Sequence, residues 1–177
     1  MALPKIVRLL RYEWPLFVAQ SLCSVLPDNV VFLRLRGYLC HFFLGSCGRD
    51  FRCGRHVVFS NPANIHLGDR VYIAYGCWLQ AAATITLEDE VMLGPYCVLA
   101  PANHTRLEQS FRYGPLKAAP ILIKKGAWLG AQVVVLKGAC IGAGTVVAAN
   151  TTVQGEVPDG VAFGNLQQAV VLKSTTQ

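Results

Sequence analysis

From Phe51 onward, apolar residues come in pairs two positions apart, and the pairs mostly recur every six residues. A fixed short period of this kind restricts the chain to a repeat architecture. The pairs are Phe51/Cys53, Val57/Phe59, Ile65/Leu67, Val71/Ile73, Cys77/Leu79, Ile85/Leu87, Val91/Leu93, Cys97/Leu99, Ile121/Ile123, Ala127/Leu129, Val133/Val135, Ala139/Ile141, Thr145/Val147 and Thr151/Val153. Only Thr145 and Thr151 among them are polar. Residues two apart share one face of a short strand, and a six-residue step forces a turn before the next strand begins. Three such strands close one triangular coil. Gly or an acid often follows the second member, as in Leu67-Gly68, Leu87-Glu88, Leu93-Gly94, Leu129-Gly130 and Ile141-Gly142, and glycine suits a tight corner.

The step lengthens after Phe59, Leu79 and Leu99, positions spaced three strands apart. The three excursions therefore leave the same edge of a prism, and the pattern predicts an all-β parallel β-helix of between four and five coils. The first two excursions add two residues each. The third, Ala100 to Pro120, is a long protruding loop that carries His104, Arg106, Glu108, Gln109, Phe111, Arg112 and Tyr113. Loops held on a rigid scaffold are where chemistry concentrates.

Residues 1–46 read differently: apolar runs (Trp14 to Leu26, Val30 to Leu33, Tyr38 to Leu44) alternate with Arg8, Arg11, Arg34 and Arg36. The pattern predicts helices. No run reaches the roughly 18 uninterrupted apolar residues of a spanning helix, and no small-residue cleavage site follows Trp14 to Leu26. Two readings stay open, a helical cap packed on the core and a basic amphipathic element with peripheral membrane contact. The organisation expected is 1–46 cap or membrane-surface segment, 47–165 β-helix domain and 166–177 tail. At 177 residues and 53% hydrophobic, the chain suits one principal fold. Sixteen basic against ten acidic residues, a net charge of +6, favour an anionic partner without choosing which. Seven cysteines without a CxxC pair argue against a disulfide framework or a structural zinc site and point to a reducing cytoplasm, with a membrane-peripheral position at its inner face left open. Cys53, Cys77 and Cys97 are expected to pack inward.

With repeat and loop in place, the sequence resembles the hexapeptide-repeat acyltransferases, and among them the sugar O-acetyltransferases of the galactoside, maltose and polysaccharide-biosynthesis type. The resemblance covers roughly residues 50–165. It rests on Ala100-Pro101-Ala102-Asn103-His104, on Pro120-Ile121-Leu122-Ile123, on Ala127-Trp128-Leu129-Gly130-Ala131-Gln132, on 138–147, and on the run from Val157 to Asn165. It implies a left-handed β-helix, a homotrimer, and an active site between neighbouring subunits where acetyl is transferred from acetyl-CoA to a hydroxyl of a sugar or polysaccharide precursor, with no metal and no nucleic acid. His104 matches the catalytic histidine, the general base that a weakly nucleophilic hydroxyl needs. Ala131 matches the backbone N–H that receives the oxyanion, and Gly130 the close approach beside it. Trp128 matches the aromatic beside the coenzyme, and Ala149 a backbone contact along the pantetheine arm.

The chain departs from the family where Gly164-Asn165-Leu166-Gln167-Gln168 lacks the usual basic contact to the coenzyme phosphate; Lys173, Lys124 and Lys125 are the candidates to replace it. Lys124-Lys125 stands for the common Gly-Asp, and Asn103 for the Gly before the histidine. The run Ala81-Ala82-Ala83 offers no side chain to read a sugar. Alternatives are an acyltransferase for an antibiotic or serine, a zinc-dependent β-helix lyase, and a non-catalytic scaffold. Zinc needs several convergent nitrogen donors, and His104 has no further histidine downstream; His41, His56 and His66 are expected to have no catalytic part, with His66 pointing outward.

Overall fold

The computed structural model describes residues 4–164 and the backbone of 170–171. Asn165 and, of the expected tail, residues 166–169 and 172–177, including Gln168 and Lys173, lie outside the described residues.

The chain winds into a three-faced parallel β-helix. Face 1 stacks Ser46–Cys47, Ile65–Leu67, Ile85–Leu87, Ile121–Ile123, Cys140–Ile141 and Glu156–Val157. Face 2 stacks Arg52–Cys53, Tyr72–Ile73, Met92–Leu93, Trp128–Leu129, Val146–Val147 and Val161–Phe163, and Val170–Val171 adds an antiparallel strand to its end. Face 3 stacks Val58–Ser60, Trp78–Gln80, Val98–Ala100, Val134–Leu136 and Thr152–Val153. Every apolar pair read from the repeat is buried. Register puts like on like: Ile65, Ile85 and Ile121 stack on face 1, and Phe59, Leu79, Leu99, Val135 and Val153 on face 3. Thr145 is buried without penalty because its hydroxyl donates to Pro158 O at 2.7 Å.

The helix is longer than the expected four to five coils, with six strands on two faces and five on the third. The extra strands lie where the repeat is blurred. At the start, Ser46–Cys47 sits between Gly45 and Gly48 and offers one half-buried thiol instead of an apolar pair. At the end, the step shortens: Cys140 pairs with Glu156, sixteen residues on, whereas Leu122 pairs with Cys140, eighteen residues on. The shortening falls at the same edge as the three excursions, between faces 3 and 1.

The N-terminal runs are helical, as expected. A short α-helix Lys5–Arg8 runs through a π-helical turn Leu9–Glu13 into a second helix, Trp14–Cys23, and a third spans Val30–His41. Asn29 starts the third by accepting the Phe32 N–H at 3.0 Å. Leu16, Cys40 and Leu44 join the prism core, so the helices plug the open end of the first coil. No helix among the described residues is long and apolar enough to cross a membrane.

One of the arginines that the membrane-surface reading would expose is buried instead. Arg36 is buried, paired with Asp28 at 2.9 Å, and donates to the carbonyls of Cys53, Leu26 and Pro27. Arg34 pairs with Asp50 at 2.9 Å. Next to Arg36, Gly37 lies so close to the first coil that a Cβ there would fall 1.8 Å from Phe51 O. Gly37→Ala is therefore expected to lift the third helix off the prism and destabilise the protein by about 2 kcal/mol or more, the scale of overpacking a tight contact, read as a lowered urea midpoint.

Candidate active site

The residues singled out in the sequence fall on two edges of the prism. Trp128, Gly130, Ala131 and Ala149 cluster along the edge between faces 2 and 3. Trp128 lies on the outer row of face 2, 48% exposed, in register with Met92 above and Val146 below. Gly130 donates to Val147 O at 2.8 Å. A Cβ on it would stand 2.7 Å from the Ala149 nitrogen, so only glycine lets these turns close on each other. Gly94 is packed as tightly one coil earlier, where a Cβ would meet the Ala131 nitrogen at 2.9 Å.

Each turn of this edge carries a residue in the left-handed region: His56, Gly76, Tyr96, Gln132 and Asn150, with φ between 56° and 70°. That conformation is held by backbone bonds to the previous coil, Tyr96 N to Tyr75 O, Gln132 N to Pro95 O and Asn150 N to Ala131 O, at 2.8–2.9 Å. The N–H groups of the preceding residues Tyr75, Ala131 and Ala149 have no acceptor among the described residues. Ala131 alone of the three has an exposed indole three positions before it.

His104 ends a strand, Ala102–His104, that pairs antiparallel with Leu116–Ala118. The expected loop is thus a hairpin, tied by Ala119 N to Pro101 O at 2.9 Å and by the Thr105 hydroxyl to Pro115 O at 2.6 Å. It leaves the edge between faces 3 and 1. His104 is exposed, as are Leu107, Phe111, Tyr113 and Leu116. Within one chain, the face containing Val134–Leu136 separates this edge from the Ala131 edge.

Of the basic residues considered for a phosphate contact, Lys124 is engaged with Asp159 at 3.2 Å. That hydrogen bond holds the ammonium above its ordinary range, and the Ala143 N–H together with Lys124 holds the Asp159 carboxyl below its own. The Lys125 side chain has no partner among the described residues; only its backbone N–H is held, by Glu88 at 2.8 Å. His66 points outward to Ser46 at 2.9 Å. No three of His, Cys, Asp and Glu converge as a metal requires among the described residues.

The sequence reading missed an aromatic ladder above Ala131. Tyr75 meets His56 and Tyr96 edge-on, with ring centroids 5.2 and 5.4 Å apart, and the Arg55 guanidinium lies 5.8 Å from the Tyr75 ring. Its signal was present in the position of each residue within the corner turn, one or two places after the glycine or alanine of 54, 74 and 94.

No protein-family model matches the chain. Over 115 residues it is 28% identical to the galactoside O-acetyltransferase of Escherichia coli, covering 65% of this chain and 57% of that one. It is similar in structure to a hexapeptide-repeat acetyltransferase of Vibrio cholerae solved with acetyl coenzyme A, with 24% identity, a TM-score of 0.78, and coverage of 98% and 91%. It is also similar to a maltose O-acetyltransferase of Clostridium difficile, with 23% identity, a TM-score of 0.79, and coverage of 94% and 89%. The chain is similar to hexapeptide-repeat acetyltransferases in sequence and in fold. Their β-helix fold is the one expected from the repeat, and the chain spans about half the length of the curated relatives it matches, 57% and 49% for two of them.

Gly130→Ala is expected to force the Ala131 and Ala149 turns apart, because the three atoms nearest the added Cβ, Ala149 N, Val147 O and Ala149 Cα, are all backbone. Amide hydrogen exchange at Asn150, whose N–H bonds Ala131 O, should accelerate at least tenfold while amides of the first two coils keep their rates.

Proposed function

We propose that the chain is an acetyl-CoA-dependent O-acetyltransferase acting on a hydroxyl of a sugar or polysaccharide precursor, with its site completed between copies in a homotrimer. The observation that carries this reading is the Ala131 edge: an N–H without an acceptor among the described residues, closed on both sides by glycine-tight turns and flanked by an exposed indole. A developing oxyanion is stabilised best by a donor already fixed and already short of a partner. Trp128 offers a flat apolar wall to the donor substrate, and the small corner residues Gly130, Ala131 and Ala149 leave a slot for a long thin arm.

His104 takes the hydroxyl proton as the acceptor oxygen attacks the thioester carbonyl. The Ala131 N–H receives the negative oxygen. When the intermediate collapses, the carbon–sulfur bond breaks, and the imidazolium returns its proton to the departing thiolate. The two groups stand on different edges of one prism, which favours a site assembled from two copies. The exposed residues support contact there: Met92 and Trp128 on face 2 and Val58 and Trp78 on face 3 present apolar side chains on both sides of the Ala131 edge. The hairpin, with Phe111 and Tyr113 at its exposed end, has the length and the apolar surface to reach a neighbouring prism. Above Ala131, Tyr96, Tyr75 and Arg55 line the approach left to an acceptor, and aromatic faces suit the apolar side of a sugar ring. All seven cysteines are free thiols, which supports a reducing, cytoplasmic setting.

Calorimetric titration with acetyl-CoA tests the reading without knowledge of the acceptor. Saturable binding at about one per subunit, weakened at least tenfold by Trp128→Ala and kept by His104→Ala, is the expected result. An acceptor screen should then find His104→Ala slower by about 10²–10⁴-fold, the usual contribution of general base catalysis. No binding, or a monomer in light scattering, would overturn the reading.

A further inference from the structure

The helices that plug the prism leave an apolar stripe facing away from it. Ile6, Leu10, Trp14, Val18, Leu22 and Val25 follow one another at steps of four, four, four, four and three, and they are between 49% and 83% exposed; Phe17 beside them is 66% exposed. Four residues of α-helix turn about 400°, so a row at steps of four drifts by about 40° each time. The π-helical turn Leu9–Glu13 slows that rotation and keeps Leu10 and Trp14 close to one line. Two polar side chains of the same segment are tied to the rest of the protein: Gln20 donates to Val57 O at 2.7 Å and Arg11 to Phe42 O at 2.9 Å. The core has already taken what it needs from this segment, Leu16 and Cys23.

Lys5, Arg8 and Arg11 alternate with the stripe along the sequence, against the single carboxylate of Glu13; Lys5 and Arg11 are exposed and Arg8 is half-buried. Charge decides between the two obvious occupants. Packing the stripe on a second copy of itself would bring these cations against their own kind. An anionic lipid surface takes the apolar row into its acyl boundary and pairs the cations with headgroups. We propose that the face formed by residues 5–25 is a docking surface for an anionic lipid bilayer, on which the helices lie without crossing. Trp14 and Phe17 enter the interfacial region, where aromatic rings are favoured. The proposal is independent of the chemistry at the Ala131 edge.

Flotation of the full chain with vesicles tests it directly. Binding to vesicles of phosphatidylcholine with phosphatidylglycerol should exceed binding to phosphatidylcholine alone at least tenfold, and should fall with added salt. Trp14→Ser, Phe17→Ser and Leu22→Ser together should lower it at least tenfold more while leaving the thermal midpoint and acetyl-CoA binding unchanged, because all three side chains are exposed. Lys5→Gln, whose side chain is also exposed, should weaken only the anionic-vesicle component. No binding to anionic vesicles, or binding that survives the triple substitution, overturns the proposal. A wild-type chain that ignores vesicles but loses an oligomer on triple substitution overturns it in favour of self-association.

Discussion

Everything in this molecule hangs on coil-to-coil register. The strands are two or three residues long, too short to hold a sheet by themselves. They persist because each inward pair lies on another from the coil before, and each strand N–H and C=O finds its partner in the next coil. Ile65 on Ile85 on Ile121, and Leu79 on Leu99 on Val135, are two of these stacks. A side chain of the wrong size would disturb its own coil and both neighbours, since a packed interior does not yield locally. The register also survives a large insertion: Val98 pairs with Val134 even though the whole hairpin intervenes.

A solenoid must end, and its first coil has no predecessor. Burying that end costs the chain a charged residue in the interior. Arg36 is held by Asp28 and by three carbonyls, two of them from the turn before the third helix and one from the first coil. Breaking a buried pair of this kind on one side is destabilising by about 3–5 kcal/mol, because the remaining charge has no water to turn to. Gly37 then sets how close the helix approaches. Cap and prism are joined by a polar clamp beside an apolar plug, and the outer face of the plug is left free for another use.

The repeat was legible because burial here follows a strict rule, with two inward residues per strand. All fourteen pairs read from the sequence lie in the core. The rule failed where its physical basis weakens. Ser46–Cys47 belongs to the first coil, which has no coil beneath it to match with a stacked apolar pair, and the step into Glu156–Val157 shortens by two residues at an edge where the length of the turn is free to vary. The buried clamp at Arg36 was not legible because sequence shows charge and periodicity but not depth; Asp28, eight residues away, was its only visible hint. The site residues came from resemblance, and the structure adds what no motif states. Trp128, Gly130, Ala131 and Ala149 share one edge, whereas His104 stands on another. Tyr75 and Tyr96 escaped notice because ladders between coils join residues about twenty positions apart, a separation at which no local pattern appears.

The separation of the two edges has a chemical consequence. A base and an oxyanion donor on one rigid corner would be ordered but would also lie within reach of water at all times. Under the proposed mechanism, His104 on a hairpin and the Ala131 N–H on a prism edge would meet only across two copies, and the apolar side chains flanking that edge would exclude water there. In that mechanism the rigid solenoid supplies the fixed backbone dipole and the hairpin supplies the base. The capped end of the prism, with its exposed apolar stripe, lies apart from both groups, so the proposed docking on a lipid surface would leave that chemistry untouched.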